Sequence, residues 1–215
     1  MSAQPATARR SRTAARRRPS KARVLRRRLA LLAGFALVVV ALLSLAKPAD
    51  QAVKEITLPL RHEDIIRQQA EQKNVDAALI AAVIYTESHF RDQTSPAGAK
   101  GLMQLMPSTA DYIATLSGGT EFEQGDLASP QINIAYGSFY LNHLLEKYRG
   151  SEELALAAYN AGEGKVDEWL GEAAAAGETF DRDRHVTFPE TREYVSKVLE
   201  AREQYRAQYA RELDL

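Results

Sequence analysis

IAAVIYTESHFRDQTSPAGAKGLMQLM, running from Ile80 to Met106, is the stretch that decides how this chain folds and where its chemistry sits. It opens as a helix, breaks at a polar loop bearing proline and glycine, and returns to apolar sequence at Gly101-Leu102-Met103-Gln104. Ile80, Val83, Ile84 and Glu87 follow the i, i+3, i+4, i+7 spacing, so one carboxylate continues a stripe that should face the core. Glu87 also falls in the last helical turn, where the macrodipole disfavours negative charge. Burial and the dipole both push a carboxyl pKa upward, as a general acid working near neutral pH requires. On this stretch alone, a surface glutamate near a helix end is the plainer reading.

The flanking sequence predicts further helices and no strand. His62–Lys73 carries Ile65, Ile66 and Ala70 inward, and Asp76 caps a helix over Ala77–Ser88. Ser95-Pro96-Ala97-Gly98 reads as the turn of the loop Arg91–Lys100, and Pro107 opens a helix to Leu116 that Ser117-Gly118-Gly119 ends. Gln131–Arg149 has a broad apolar face, and Ser151 caps a short alanine-rich helix, Glu152–Tyr159. A helix over Lys165–Leu170 carries Trp169, the one tryptophan; residues 171–187 read as irregular or as a mobile flap; Pro189 opens a last helix to Ala210. No convincing period-two segment occurs, so the expected fold class is all-α.

The net charge of zero hides a division. Residues 1–28 contain eleven Lys/Arg and no acid, which leaves 28 − 11 = 17 basic residues against 28 acidic ones, about −11, in the remainder. The basic arm is expected to be disordered, and the acidic remainder argues against nucleic acid as a partner. Leu29 to Ala46 is an uncharged run of eighteen residues, at the lower limit for a membrane-spanning helix. The flanking arginines place the N-terminus in the cytoplasm and export everything after Lys47. The expected reading is an uncleaved single-pass anchor in the cytoplasmic membrane; Ser44-Leu45-Ala46 also passes as a signal cleavage site, so a secreted form is the alternative. Residues 47–57 then form a linker, 58–208 the domain and 209–215 a tail. Cysteine is absent, which excludes a disulfide framework. His62, His89, His143 and His185 lack ligand spacing, so neither a metal nor another cofactor is expected.

Four separated pieces carry the chemistry: Glu87-Ser88-His89-Phe90; Gly98-Ala99-Lys100-Gly101-Leu102-Met103-Gln104-Leu105-Met106-Pro107; Ala157-Ala158-Tyr159-Asn160-Ala161-Gly162; and Phe188-Pro189-Glu190-Thr191-Arg192-Glu193-Tyr194-Val195. In this order and approximate spacing they resemble the catalytic domain of the soluble lytic transglycosylase family, across roughly residues 58–208. Asp126-Leu127, Pro130, Asn133-Ile134, Gly137 and Tyr140-Leu141 extend the likeness between them. Thr187 departs from it, standing where a proline often precedes the last piece.

The resemblance implies a lysozyme-like helical fold, peptidoglycan glycan strands as substrate, and Glu87 as the single catalytic acid and base. The family cleaves between N-acetylmuramic acid and N-acetylglucosamine, the sugar's own C6 hydroxyl attacking C1 to give a 1,6-anhydromuramoyl end. That removes the need for the second carboxylate an ordinary glycosidase uses. The resemblance further implies that Ser95 hydrogen-bonds the sugar or Glu87, that Gly101 lets backbone approach the glycan, and that Met103 and Gln104 contact the N-acetyl sugars. Met106 is read as a core residue. Tyr159 and Asn160 match the pair that positions the muramoyl ring, with helix capping the plainer role for Asn160. Glu190 and Tyr194, one turn apart, share a face that closes over Glu87, although a first-turn glutamate can simply favour the helix dipole. Trp169 and Phe180 are read as core. Two other functions remain open on the sequence: a goose-type-lysozyme-like muramidase that uses water, and a wall-binding module without activity.

Overall fold

The computed structural model describes Phe35, Leu37, residues 56–118 and residues 122–215. The basic arm, nearly all of the apolar run and most of the linker lie outside them. Among the described residues no helix is long and apolar enough to cross a membrane. The compact unit is Lys54–Leu215.

Its helices are α1 (Glu63–Lys73), α2 (Ala77–Ser88), α3 (Pro107–Ser117), α4 (Pro130–Lys147), α5 (Glu152–Ala161), α6 (Glu163–Ala175), α7 (Arg182–His185) and α8 (Pro189–Tyr209), with a 3-10 turn at Gln124–Ala128 before α4. Strands are absent among the described residues. Among the described residues the bridges are the isolated pairs Thr94–Lys100 and Lys100–Leu105, so the domain is all-α as expected.

At the centre lies α2. Every residue from Ala77 to Ile84 is buried, so this helix is apolar all round and not merely striped. Four alanines on it allow close approach, and α8 packs along its length while α1 closes another side. Asp76 caps it as expected, its carboxylate accepting from Ala78 N at 3.0 Å. The chain enters the domain through residues 57–59. Their carbonyls take hydroxyls from three tyrosines: Tyr85 to Thr57 at 2.9 Å, Tyr209 to Leu58 at 2.8 Å and Tyr205 to Pro59 at 2.6 Å.

One expectation is met only in part. Within residues 171–187, expected to be irregular or a flap, α6 continues to Ala175 and Asp181 caps α7 by accepting from Arg184 N at 3.0 Å, while 176–181 and 186–187 lie outside helices. Val186 is buried, and Trp169 Nε1 donates to Thr187 Oγ1 at 3.1 Å. Polar and capping contacts hold the segment, and hydrophobic periodicity does not register these. The tail is also docked. Leu213 is buried, and Arg67 pairs with Asp214 at 3.3 Å while donating to the Glu212 carbonyl at 2.5 Å.

Candidate active site

The core opens at the last turn of α2. Val83 and Ile84 are fully buried, whereas Tyr85, Thr86 and Glu87 are partly exposed. Two successive left-handed residues, His89 (φ 53°) and Phe90 (φ 59°), then turn the chain sharply away, with Phe90 buried as the pin. Glu87 thus stands at the rim of the core on a rigid element.

The loop beyond it is built by its own hydrogen bonds. Ser95 and Ala99 exchange a bond from Ser95 N to Ala99 O at 2.8 Å, and the Ser95 hydroxyl accepts from Ala99 N at 3.0 Å. Lys100 and Leu105 pair in both directions, at 2.9 and 3.0 Å. Gln104 donates its amide to Gln93 O at 3.0 Å and Gly101 O at 2.7 Å. Ser95 and Gln104 therefore shape the loop, and Ser95 makes no hydrogen bond to Glu87.

One face of α4 holds that loop in place. Asn133, fully buried, accepts from Met103 N at 2.8 Å and donates to Lys100 O and Leu127 O, each at 3.0 Å. A Cβ on Gly101 (φ 76°) would stand 2.1 Å from Asn133 Nδ2 and 2.6 Å from Leu127 O. Asn133 and Leu127 therefore approach too closely for any residue but glycine here. One turn further along, a Cβ on Gly137 would lie 2.3 Å from Met103 Sδ. Met103 is consequently 0% exposed, filling a notch in α4, while Met106 is 39% exposed. Met106, read as core, is the more exposed of the two methionines. The sequence carried the signal: Met106 precedes Pro107 and takes an extended conformation (ψ 141°) ahead of α3, outside the helical packing pattern. Asn133 and Gly137 were legible only as matching positions. A buried amide in an otherwise apolar helix face was the clue to their work.

Around Glu87 the surroundings are apolar and phenolic. Burial raises its pKa to about 7, and the hydroxyl of Tyr194 pulls in the opposite direction. Tyr194 is itself buried and held well above the ordinary phenol range by burial and then by the charge of Glu87. Its approach falls short of a hydrogen bond of ordinary length and angle, which leaves the buried hydroxyl unpartnered. Tyr159 is raised by the same two causes, and its hydroxyl donates to Met103 O at 3.0 Å. None of the groups that shift Glu87 is another carboxylate.

Asn160 accepts from Thr191 Oγ1 at 2.8 Å, tying the end of α5 to the start of α8. It does not cap α5; Gly162 does that, at φ 88° and ψ 147°. Asn160, Glu190 and Tyr194 line a cleft of about 520 Å³ together with Tyr85 and Thr86. The structure thereby brings Glu87, Tyr159, Asn160, Glu190 and Tyr194 to one end of α2, and it commits Ser95, Gly101 and Gln104 to the loop beside them.

Residues 64–180 match the family model described as the transglycosylase SLT domain. The soluble lytic murein transglycosylase of Salmonella typhimurium is 33% identical over 147 residues, covering 67% of this chain and 23% of that protein. The membrane-bound lytic murein transglycosylase F of Erwinia tasmaniensis is 41% identical over 97 residues, covering 42% and 18% respectively. An inactive mutant of the lytic transglycosylase Slt from Pseudomonas aeruginosa matches with a TM-score of 0.65 at 33% identity, over 72% of this chain and 25% of that one. The matched part is thus a quarter or less of these relatives' length. By sequence and by fold, the chain belongs to the transglycosylase SLT domain family.

Proposed function

We propose that this chain is a peptidoglycan lytic transglycosylase in which Glu87 works alone. The observation that carries the proposal is a single carboxyl held near pH 7 by burial, with phenols and no second carboxylate acting on it. Glu87 donates its proton to the glycosidic oxygen between N-acetylmuramic acid and N-acetylglucosamine, and the bond from C1 to that oxygen breaks. The muramoyl C6 hydroxyl then bonds to C1 and returns its proton to the Glu87 carboxylate, so no water is consumed. A tethered hydroxyl has a high effective concentration and makes a nucleophilic carboxylate unnecessary. Tyr159, Asn160, Glu190 and Tyr194 orient the muramoyl ring.

The uncharged run Leu29–Ala46, flanked by the basic arm, is proposed to anchor the domain on the outer face of the cytoplasmic membrane. A similar protein bearing "membrane-bound" in its name supports this placement. The test of the activity is the mass of muropeptides released from purified wall. Anhydromuramoyl ends are one water lighter than hydrolysed ends, so hydrolysed ends would identify a muramidase and no release at all a binding module. An N-terminus at Lys47 in the membrane-associated protein would refute the anchor.

A further inference from the structure

The turn that carries Tyr159 and Asn160 runs directly into Glu163, the first residue of α6, across Gly162 at φ 88°. The Glu163 side chain reaches back onto α4. Its carboxylate accepts from Lys147 Nζ at 2.8 Å and stands 3.5 Å from His143 Nε2, a buried nitrogen without a formed hydrogen bond. The hydroxyl of Tyr140 faces the same carboxylate, and burial and then the Glu163 charge hold that phenol above its ordinary range. Tyr140, His143 and Lys147 follow the i, i+3, i+7 spacing and so present one face of α4. On that face the Tyr140 and His143 rings stack at 6.2 Å, and Tyr112 of α3 meets His143 edge-on at 6.0 Å.

The ion pair alone does not explain this carboxylate. Lys147 is also bridged to Asp167 at 2.8 Å, and Tyr148 donates to Asp167 at 3.0 Å, so the lysine keeps a partner without Glu163. Asp167 is half exposed, whereas the Glu163 side chain is 18% exposed and bears the larger desolvation cost. What the inner carboxylate adds is its hold on Tyr140. Tyr140 is buried, and its ring lies 5.6 Å from that of Tyr159, within the range of aromatic pairs. Tyr159 in turn lies within the field of Glu87 and donates to Met103 O. The contacts run in one line from Glu163 through Tyr140 and Tyr159 to the surroundings of Glu87.

We propose that Glu163 is a positioning residue for the reaction: by holding Tyr140 from the start of α6, it fixes the Tyr159 ring beside Glu87. The inference deepens the proposed activity and rests on it. Glu163 acts through Tyr140 and not on the glycan, so its loss falls on the rate of the bound complex and not on how well the strand binds.

The experiment measures kcat and KM for release of anhydromuramoyl ends from soluble, uncrosslinked glycan strands, with thermal unfolding on the same preparations. Glu163→Ala is expected to lower kcat about tenfold at unchanged KM, because small displacements near the reacting bond are costly. Glu163→Gln keeps an acceptor for the Tyr140 hydroxyl while losing the charge that Lys147 pairs with, and is expected to restore most of the wild-type kcat. Lys147→Met removes the ion pairs alone; it should lower the melting temperature and leave kcat at the wild-type value. Tyr140→Phe keeps the ring against Tyr159 but drops the hydroxyl, so it should be as slow as Glu163→Ala, and the two together no slower than either. It also decides the matter if Glu163→Ala does not fold. A Glu163→Gln variant as slow as Glu163→Ala, an equal kcat loss in Lys147→Met, or wild-type kcat in Tyr140→Phe overturns the inference and leaves the lytic activity standing. Absence of anhydromuramoyl ends from the wild-type reaction would instead overturn the lytic activity and the inference with it.

Discussion

The hydroxyl of Tyr159 donates to the carbonyl oxygen of Met103 at 3.0 Å, joining the end of α5 to the loop that follows Glu87. Tyr159→Phe removes that donor and leaves a buried carbonyl without a partner, a cost of about 1–3 kcal/mol. It also takes a hydroxyl away from the surroundings of Glu87. The expected outcome is a lower melting temperature together with turnover reduced about tenfold or more, because small displacements near the reacting bond are costly. Steady-state kinetics and thermal unfolding on one preparation check it. Unchanged turnover would mean that the tie is structural only.

Asn133 and Gly137 present one face of α4 to the same loop. Asn133→Ala would strand Met103 N–H and the carbonyls of Lys100 and Leu127, so destabilisation of at least about 3 kcal/mol is expected. Gly137→Ala would drive a methyl into Met103, with Sδ at 2.3 Å and Cβ at 3.0 Å, an overpacking cost of about 1–3 kcal/mol. Met103→Ala should therefore relieve part of the Gly137→Ala penalty. Denaturant melts of the two single variants and the double variant measure that coupling, and strict additivity would contradict the packing described.

The helices were legible because their signals are local. Apolar spacing and caps such as Asp76 and Pro107 mark α2 and α3 almost to the residue. Glu87 was legible as an acid where an apolar residue was due. The parts that escaped depend on contacts across the chain. Pro107 marks Met106 locally, but nothing near Met103 in sequence marks its burial; the notch at Gly137, more than thirty residues away, makes the difference. The docked tail likewise depends on Arg67, over 140 residues away from Glu212 in sequence. Residues 171–187 were legible only in part because alanine and charge are ambiguous between helix surface and loop until Trp169 and Thr187 are seen to meet.

Glu87→Gln should reduce turnover at least a hundredfold while leaving the fold intact, and it should carry a stability signature. The folded carboxyl titrates near 7 against an ordinary value of 4.5. Below pH 4.5 both states are protonated and the native carboxyl costs nothing. As pH rises from 4.5 to about 7 the unfolded chain loses its proton first, so wild-type stability falls by up to about 3 kcal/mol and then levels off. The variant has no such loss. It should melt several degrees above wild type at pH 8 and together with it at pH 4, as calorimetry across that range can show.

Burial places the pH at which activity is expected to decline, and Tyr194 is expected to lower it. Glu87 must be protonated to act as an acid, so kcat/KM is expected to fall about tenfold per unit above a pKa near 7. The Tyr194 hydroxyl favours the ionised form of Glu87 and so holds that pKa down. Removing it in Tyr194→Phe should raise the pKa and shift the descending limb to higher pH. The variant should consequently be slower than wild type near neutrality, through lost ring positioning, yet keep a larger fraction of its own maximum at pH 8. A pH–rate profile of both proteins decides the matter. A limb that stays in place, or moves to lower pH, would show that Tyr194 acts on the substrate and not on the ionisation of Glu87.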